Sequence, residues 1–313
     1  MAQCFWNNHL LQEEDGCYLP GNEPNAGYAL GGSTPTVVAD IDKFSFLDES
    51  VSTLAATLSA VRATGAGCSS AAAGYTLGGY TGAGVVGTVD KLLFAGETVS
   101  TPGATLATAR SEAAGCESDT AGYALGGELP GGTTTYYNII SKLLFATDGG
   151  STLAAVLAET RSRAVGLSSA LAGYAVSGIR PAAYLKTIRK LDFGTETSSS
   201  PASSTTKYCS GAAGVNTATT GYTLGGYTGY DDTIEKISFA DDTTSVSTSV
   251  LSGVRSYSCS FYDSSTGCSA GGYTGAAYID VIDKLAFATE AVTTSTSTLS
   301  EVKSGAFGVQ TSI

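Results

Sequence analysis

A six-residue motif, Gly-Tyr-Thr-Leu-Gly-Gly at positions 74–79, constrains the fold most strongly, because variants of it occur six times along the chain. The spacings between successive copies are 47, 48, 51, 48 and 46 residues. A period near 48 residues is typical of propeller blades or of a stacked array of similar units. The 313 residues are therefore predicted to form one repeat domain. The copies begin at Gly27, Gly74, Gly122, Gly173, Gly221 and Gly267.

The spacing inside each repeat separates fixed parts from a variable one. A lysine is always followed three residues later by phenylalanine, and 16 residues after that comes a basic residue, except for Cys209 in the fourth repeat. Only the stretch between the glycine pair and the lysine varies, from 10 to 15 residues. Constant intervals predict packed strands and turns, whereas the variable one predicts a surface loop. The basic residues are Arg62, Arg110, Arg161, Arg255 and Lys303.

Each repeat contains four short segments with the period-2 patterning of β-strands, separated by turn residues. The first alternates small apolar residues such as Ala66 and Cys68 with Gly or Ser, and the second carries the Gly-Tyr motif. The third contains the lysine, and the fourth is expected to carry a recurring leucine. The sequence thus predicts an all-β fold with four-stranded antiparallel blades. The recurring residues are Leu58, Leu106, Leu157, Leu251 and Leu299, with Thr205 in the fourth repeat.

The two ends of the repeat region predict how the blades close into a ring. Residues 303–313 form a first-strand segment, and no well-fitting segment of this kind precedes Gly27. The C-terminal strand is therefore expected to pair into the first blade, which closes a six-bladed β-propeller and removes an unpaired sheet edge. On this basis residues 27–313 form the propeller and residues 1–26 an N-terminal extension.

The order of these features resembles the kelch repeat. Arg62, the strand ending in Gly78-Gly79, and Phe94 with its following turn match the family's basic, Gly-Gly and aromatic positions, although the family tryptophan is absent. The Gly-, Ser- and Thr-rich style is similar to that of kelch-like proteins encoded by bacteriophages and some bacteria. This resemblance implies a binding or assembly platform, often in a virion tail or on a cell surface.

Charge and the N-terminal sequence limit the classes of partner. With 28 acidic against 16 basic residues and a net charge of −12, the chain is poorly suited to nucleic acid, since phosphate contacts need Lys and Arg. No apolar run approaches the ~20 residues of a membrane-spanning helix. The first residues lack the basic and apolar segments of a secretory signal peptide. We expect a virion or extracellular-surface location, with the cytoplasm as the alternative.

Few residues are suited to catalysis or metal binding. His9 is the only histidine, so the repeats cannot build a Ser-His-Asp triad, and a copper site with several His ligands is excluded in the same way. No CxxC motif predicts zinc, and no pair of carboxylates stands out as a glycosidase pair. We therefore expect a protein that is not an enzyme and has no metal or cofactor. Whether Cys4 and Cys17 pair is left open.

The loop after the glycine pair carries the candidate binding residues. Tyrosines with hydroxyl and amide neighbours recur there, and aromatic rings with polar edges suit sugars or protein surfaces. The alternative is that these tyrosines pack between blades. Trp6, in the extension, either packs on the domain or docks a partner. The candidates are Tyr80, Thr81, Tyr136, Tyr137, Tyr227, Tyr230, Tyr273 and Trp6.

Two charged positions recur in every repeat. A ring of lysines and acids either binds a ligand or forms repeated ion pairs, and the structural role is favoured because a ligand site rarely needs six copies. The lysines are Lys43, Lys91, Lys142, Lys190, Lys236 and Lys284. The acids are Glu49, Glu97, Asp148, Glu196, Asp242 and Glu290.

Together these features favour a non-enzymatic structural or interaction module, part of a phage tail or another virion or extracellular appendage, that binds partner proteins or a host surface. A glycan-binding, lectin-like propeller and an intracellular kelch-type adaptor are the alternatives. The expected partners are structural proteins of an assembly or surface glycans, not nucleic acid.

Overall fold

The computed structural model describes residues 25–227 and 229–311, which form six antiparallel four-stranded sheets around a common axis. The innermost strands of neighbouring sheets contact one another in a closed circle. The six-bladed β-propeller predicted from the repeat is therefore confirmed. Trp6, Cys4, Cys17 and nearly all of the predicted N-terminal extension lie outside the described residues.

The first three blades follow one another in chain order. Blade 1 contains β1 (Ala26–Ser33), β2 (Val37–Ser45) and β3 (Val51–Thr53). Blade 2 contains β4 (Ala66–Ser69), β5 (Ala73–Tyr80), β6 (Val85–Leu93) and β7 (Thr98–Ser100). Blade 3 contains β8 (Ala114–Glu117), β9 (Ala121–Leu125), β12 (Ile139–Leu144) and β13 (Gly149–Val156), with the small hairpin β10 (Glu128–Leu129) and β11 (Thr135–Tyr136) in its longest loop.

The remaining blades repeat this plan. Blade 4 contains β14 (Val165–Ser168), β15 (Ala172–Val176), β18 (Ile188–Asp192) and β19 (Ser198–Ser199), with the hairpin β16 (Ile179–Arg180) and β17 (Ala183–Tyr184). Blade 5 contains β20 (Ala213–Asn216), β21 (Thr220–Gly226), β22 (Asp231–Ser238) and β23 (Thr244–Val250). Blade 6 contains β24 (Cys259–Tyr262), β25 (Thr266–Tyr273), β26 (Tyr278–Ala286) and β27 (Ala291–Thr294). The last strand is β28 (Phe307–Gln310).

Strand β28 closes the ring by joining blade 1, as the repeat register predicts. It runs antiparallel to β1, with Gln310 opposite Gly27 and Val309 opposite Tyr28. The order in blade 1 is thus β28-β1-β2-β3, with the C-terminal strand innermost. Closure leaves no blade without its inner strand.

The antiparallel order gives the ring two different ends. The loops between second and third strands lie at the same end as the connections between blades, and we call this end the loop face. The turns between first and second strands, and between third and fourth strands, lie at the opposite end, the turn face. The variable-length interval of the repeat therefore lies on the loop face, next to the central axis.

The prediction for the fourth strand is wrong in register. The outermost strands come directly after the acidic turn, and the recurring leucines follow these strands instead of lying within them. Each leucine is buried, and its backbone N–H donates to the third strand of the same blade, as Leu58 does to Ala39 O at 2.9 Å and Leu106 to Gly87 O at 2.8 Å. At these leucines the chain turns from the outermost strand toward the axis, because the leucine side chains pack into the core beneath the connection to the next blade.

Glycine lets the inner strands approach one another around the axis. A Cβ added to Gly115 would collide with the carbonyl oxygen of Gly67 in the preceding blade, and Gly166 stands in the same relation to Gly115. Blade 6 has Ser260 at this position, and a Cβ added to Gly308 of the next inner strand would collide with the Ser260 carbonyl oxygen. The recurring glycine of the first strand is therefore required by close backbone approach rather than by a turn.

Aromatic stacking joins most neighbouring blades. The tyrosine of the Gly-Tyr motif stacks on the phenylalanine of the next blade, as Tyr75 does on Phe145 with ring centroids 5.2 Å apart. Blade 6 carries Cys268 in place of this tyrosine, and there Phe46 of blade 1 packs edge-on against Phe261 at 6.1 Å. The other stacked pairs are Tyr28–Phe94, Tyr123–Phe193, Tyr174–Phe239 and Tyr222–Phe287.

The recurring lysines and acids form ion pairs between blades. Each lysine reaches the acid of the following blade, and Lys284 of the last blade reaches Glu49 of the first. The groups are half-buried: in the Lys91–Asp148 pair, at 2.9 Å, the side chains are 18% and 29% exposed. The other pairs are Lys43–Glu97, Lys142–Glu196, Lys190–Asp242 and Lys236–Glu290.

A buried ion pair holds several strands of one blade together. The guanidinium of Arg62 bonds the carboxylate of Asp90 and donates to Thr88 O at 2.7 Å. Asp90 also accepts from the Thr101 hydroxyl at 2.8 Å and from the Ser59 N–H at 2.9 Å. The same arrangement recurs as Arg255–Asp283 in blade 6 and Lys303–Asp42 in blade 1.

In two of the other three blades, blades 3 and 5, one member of this ion pair is replaced by an uncharged residue. Arg110 faces Ser141 instead of an acid and donates to backbone carbonyls, including Gly126 O at 2.6 Å; burial lowers its pKa to about 10. In blade 5, where Cys209 replaces the base, Glu235 accepts instead from the Thr206 and Lys207 backbone N–H groups. In both blades the remaining charged group is held by hydrogen bonds to nearby groups of the chain.

The two kinds of ion pair should differ in their effect on stability. Arg62→Met leaves Asp90 buried without its cation, so we expect the free energy of unfolding to fall by about 3–5 kcal/mol. Lys91→Met removes a half-exposed pair and should cost at most about 1 kcal/mol. Urea unfolding followed by tyrosine fluorescence measures both values. Equal losses for the two variants would contradict the assigned roles.

Candidate functional site

A ring of six residues surrounds the central axis on the loop face, one from each connection between blades. Each lies two residues after the recurring basic position, and each donates its backbone N–H to the carbonyl of its counterpart in the preceding blade. Arg163 N lies 2.9 Å from Glu112 O, and Gly211 N lies 2.8 Å from Arg163 O. Thr64 N to Gly305 O, at 2.7 Å, closes the circle. This axial ring consists of Thr64, Glu112, Arg163, Gly211, Tyr257 and Gly305.

All six residues of the axial ring have left-handed backbone conformation, with φ between 56° and 64°. Glycine adopts it readily, whereas Thr64, Glu112, Arg163 and Tyr257 do so at a cost of about 1–3 kcal/mol each. The hydrogen-bonded circle fixes this conformation. Non-glycine residues held in it concentrate at ligand sites, which makes the axial ring a candidate site.

A recess of about 740 Å³ opens above the axial ring. Tyr80, Tyr273 and Tyr278 supply aromatic walls, and Glu112 lies at its floor. Its size lies within the range of small-ligand sites, and aromatic walls with a few polar groups are typical of them. Its lining also includes Thr81, Glu128, Pro130, Tyr257 and Ser304.

A continuous group of tyrosines extends from the recess across blades 6, 5 and 4. Neighbouring rings in this tyrosine band have centroids between 5.2 Å and 6.4 Å apart. Tyr184 and Tyr208, at its far end, are 43% and 38% exposed. The band therefore presents aromatic surface to solvent. It consists of Tyr184, Tyr208, Tyr227, Tyr230, Tyr257, Tyr273 and Tyr278.

The structure places five of the eight predicted binding residues at this site. Tyr80 and Thr81 line the recess, and Tyr273 lines it and also belongs to the band. Tyr227 and Tyr230 are at the centre of the band, with ring centroids 5.2 Å apart.

The other three predicted binding residues are elsewhere. Tyr136 belongs to β11 of blade 3, and the Tyr137 backbone bonds Gly127 O at 2.8 Å; within the described residues neither ring contacts the band. Trp6 is outside those residues. The Tyr136–Tyr137 pair and the band are therefore separate parts of the loop face.

Several residues of the site were not predicted from the sequence. Tyr208 and Tyr257 lie in connections between blades, where the recurring sequence feature is the basic position, and Glu112 and Arg163 occupy the axial ring. The sequence did contain a signal for the axial ring. Two residues after the basic position, the six repeats carry Thr, Glu, Arg, Gly, Tyr and Gly, so the residue type changes at a fixed position of the repeat.

Two acids, Glu112 and Glu128, lie close to one base, Arg163, at the recess floor. Arg163 Nη2 lies 3.6 Å from Glu128 Oε1, and Glu128 also accepts from the Ser162 hydroxyl at 2.7 Å. The Arg163 guanidinium lies 5.7 Å from the centroid of the Tyr257 ring. Burial raises the pKa of Glu112 to about 8, with Arg163 opposing and Glu128 adding to the shift.

A second group of polar side chains lies around the axis, near the turn face. The Tyr262 hydroxyl crosses the axis to within 3.4 Å of Glu117 Oε1, and Asn216 Nδ2 donates to that hydroxyl at 3.0 Å. Burial raises the pKa of Glu117 to about 7, while Tyr262 and the Ser69 backbone oppose the shift. These groups are bonded to one another, and they line a second recess of about 800 Å³ on the turn face.

Within residues 25–227 and 229–311, no cluster of three or more His, Cys, Asp or Glu side chains is arranged to hold a metal ion. In the same residues, no helix has the length and apolar character needed to cross a membrane.

Comparisons with known proteins support the fold. No family model matches the chain, and no curated protein matches it. The chain is similar to a solved structure titled "Structure of YjhT", with a TM-score of 0.64, 15% sequence identity, and coverage of 78% of this chain and 86% of that chain. At this identity the likeness concerns the propeller fold alone. Because 269 chains of solved structures match, the fold does not identify an activity.

The left-handed conformation of the axial ring predicts an unusual response to glycine. Thr64→Gly removes the cost of a β-branched residue at φ 57°, so we expect unchanged stability or a gain of up to about 1 kcal/mol. Thr98→Gly, in the exposed strand β7, should lose up to about 1 kcal/mol. Urea unfolding of both variants tests this, and an equal loss in both would be inconsistent with a strained ring.

Proposed function

We propose that this protein is a non-enzymatic interaction module that binds its partner through the loop face. The observation that carries the proposal is the tyrosine band, a continuous aromatic surface built from three blades. Tyrosine is enriched at the centres of protein interfaces, because its ring supplies contact area and its hydroxyl keeps a polar partner. Residues outside the repeat's constant positions form this surface, as expected of a binding surface on a rigid scaffold.

The band has few fixed charges, which favours recognition by contact area. Lys186 lies over the Tyr208 ring at 4.7 Å and donates to Thr206 O at 2.6 Å, so its charge is held against the band. Depletion of charged groups with enrichment of tyrosine is typical of an interface core. The preferred partner is therefore a protein surface or a host-surface molecule, not a polyanion.

We place this module in a phage tail or another virion or extracellular appendage. Support comes from the resemblance to the Gly-, Ser- and Thr-rich kelch-like proteins of bacteriophages. An intracellular kelch-type adaptor is the alternative. Its partner would bind the same face, so location and partner are tested separately.

Glycan binding is a second candidate function, favoured by the recess above the axial ring. Its volume of about 740 Å³ accommodates a small saccharide, and Tyr80, Tyr273 and Tyr278 line it. Tyrosine rings pack on the apolar faces of sugars, while polar groups at the floor supply hydrogen bonds.

Partner binding by the band predicts a selective loss. We expect the purified chain to be retained on virions or cell envelopes from its source, and a Tyr184→Ala/Tyr230→Ala variant to bind at least about tenfold more weakly. Leu47→Ala, which changes a 68% exposed apolar residue on the turn face, should bind as the wild type does. Mass spectrometry of purified particles tests location. Absence from particles, with equal retention of all three proteins, would contradict the proposal.

Glycan binding predicts a different set of sensitive residues. On a glycan array, the wild type should retain one class of saccharide, and Tyr80→Ala and Tyr273→Ala should each lower that signal about tenfold or more. Leu47→Ala, at an exposed residue on the turn face, is the control and should keep the wild-type signal. If no glycan is retained, the recess is not a saccharide site.

A further inference from the structure

The carboxyl group of Glu112 is a feature of the recess floor that the fold does not use. Its backbone belongs to the axial ring, but its side chain has no hydrogen-bond partner among the described residues. It lines both the recess and the narrower cavity of about 100 Å³ beneath it. Protein surrounds the group except on its open side, so its hydrogen-bonding capacity is directed to whatever enters the recess.

Glu112 and Glu128 share one cation, Arg163. The Arg163 guanidinium lies 3.6 Å from Glu128, and although burial opposes it, the charges of Glu112 and Glu128 raise the pKa of Arg163. Tyr257 stays neutral, because burial and Glu112 raise the pKa of its hydroxyl far above the usual range. Tyr136 approaches the group from blade 3, on the side of Arg163. With both acids ionised, the two carboxylates and Arg163 would leave one excess negative charge, and burial opposes it by raising the pKa of Glu112 to about 8.

We propose that Glu112 acts as a neutral carboxylic acid that hydrogen-bonds two neighbouring hydroxyl groups of an uncharged saccharide seated in the recess. This inference rests on glycan binding as the function of the recess. It names the ligand as a neutral sugar with a vicinal diol, and Glu112 as the residue that orients it.

The chemistry of the group matches such a ligand. A protonated carboxyl has one O–H donor and one carbonyl acceptor side by side, so it donates to one sugar hydroxyl and accepts from the next. Tyr80, Tyr257 and Tyr273 lie around the same recess and supply rings for the C–H faces of the sugar. A carboxylate would offer acceptors only and would favour a cationic ligand.

The direction of the pH dependence follows from the raised pKa. Glu112 is protonated below about pH 8, so saccharide binding should be at full strength near pH 6 and weaken as the pH rises through 8. Well above that value the association constant should fall about tenfold per pH unit. A cationic ligand would show the opposite trend, since it needs the ionised carboxylate.

Titration calorimetry at pH 6, 7, 8 and 9, with the neutral saccharide selected on the array, tests the inference. We expect Glu112→Gln to bind as the wild type does at pH 6 and to lose the pH dependence, because the amide keeps one donor side and one acceptor side. Glu112→Ala should bind at least about tenfold more weakly at every pH. Glu97→Gln, at an acid paired with Lys43 away from the recess, is the control and should keep the wild-type profile.

The outcomes separate this inference from the function on which it rests. If the array yields no saccharide, glycan binding and the role of Glu112 both fail. If a neutral saccharide binds with the same pH profile in wild type, Glu112→Gln and Glu112→Ala, glycan binding stands and the role of Glu112 is wrong. Binding that strengthens as the pH rises, or a preference for cationic ligands, also overturns it.

Discussion

The circle of six backbone hydrogen bonds around the axis is the interaction on which the candidate site depends. Each bond links one blade to the next, and the Thr64–Gly305 bond exists because β28 returns the end of the chain to blade 1. Stacked tyrosine–phenylalanine pairs and half-buried ion pairs support the same junctions farther from the axis. The axial ring is thus a property of the closed propeller, and its left-handed residues are held in place by contacts from all six blades.

Much of this architecture could be predicted from the sequence, because a blade is a local pattern repeated six times. The Gly-Tyr motif, the fixed intervals and the register of the last strand determine the blade count and the closure. The outer strand was placed wrongly, because Leu58 and its counterparts are buried like strand residues but lie where the chain turns inward. The lysine and acid of one repeat were recognised, but sequence spacing does not show that Lys91 reaches Asp148 of the next blade.

The site was predicted only in part, for a physical reason. Tyr80, Tyr227 and Tyr273 were found because each directly follows the glycine pair, where the interval of changing length begins. Glu112 and Tyr257 come from different connections and meet only after the blades close, so no short motif contains them. At the axial ring the fold constrains the backbone and leaves the side chain free. In a repeat protein, a position with constant conformation and changing side chain is therefore a place to look for binding.

The central claim is that ligand recognition belongs to the loop face and is organised by the axial ring. Hydrogen–deuterium exchange on the wild-type protein, free and saturated with the saccharide or partner that it retains, tests this most directly. The account predicts slower exchange in peptides that cover Thr64, Glu112, Tyr257 and the loop after Tyr273, with no change in the turns that contain Glu49 and Glu97. Protection confined to those turns or to the outer strands would contradict it.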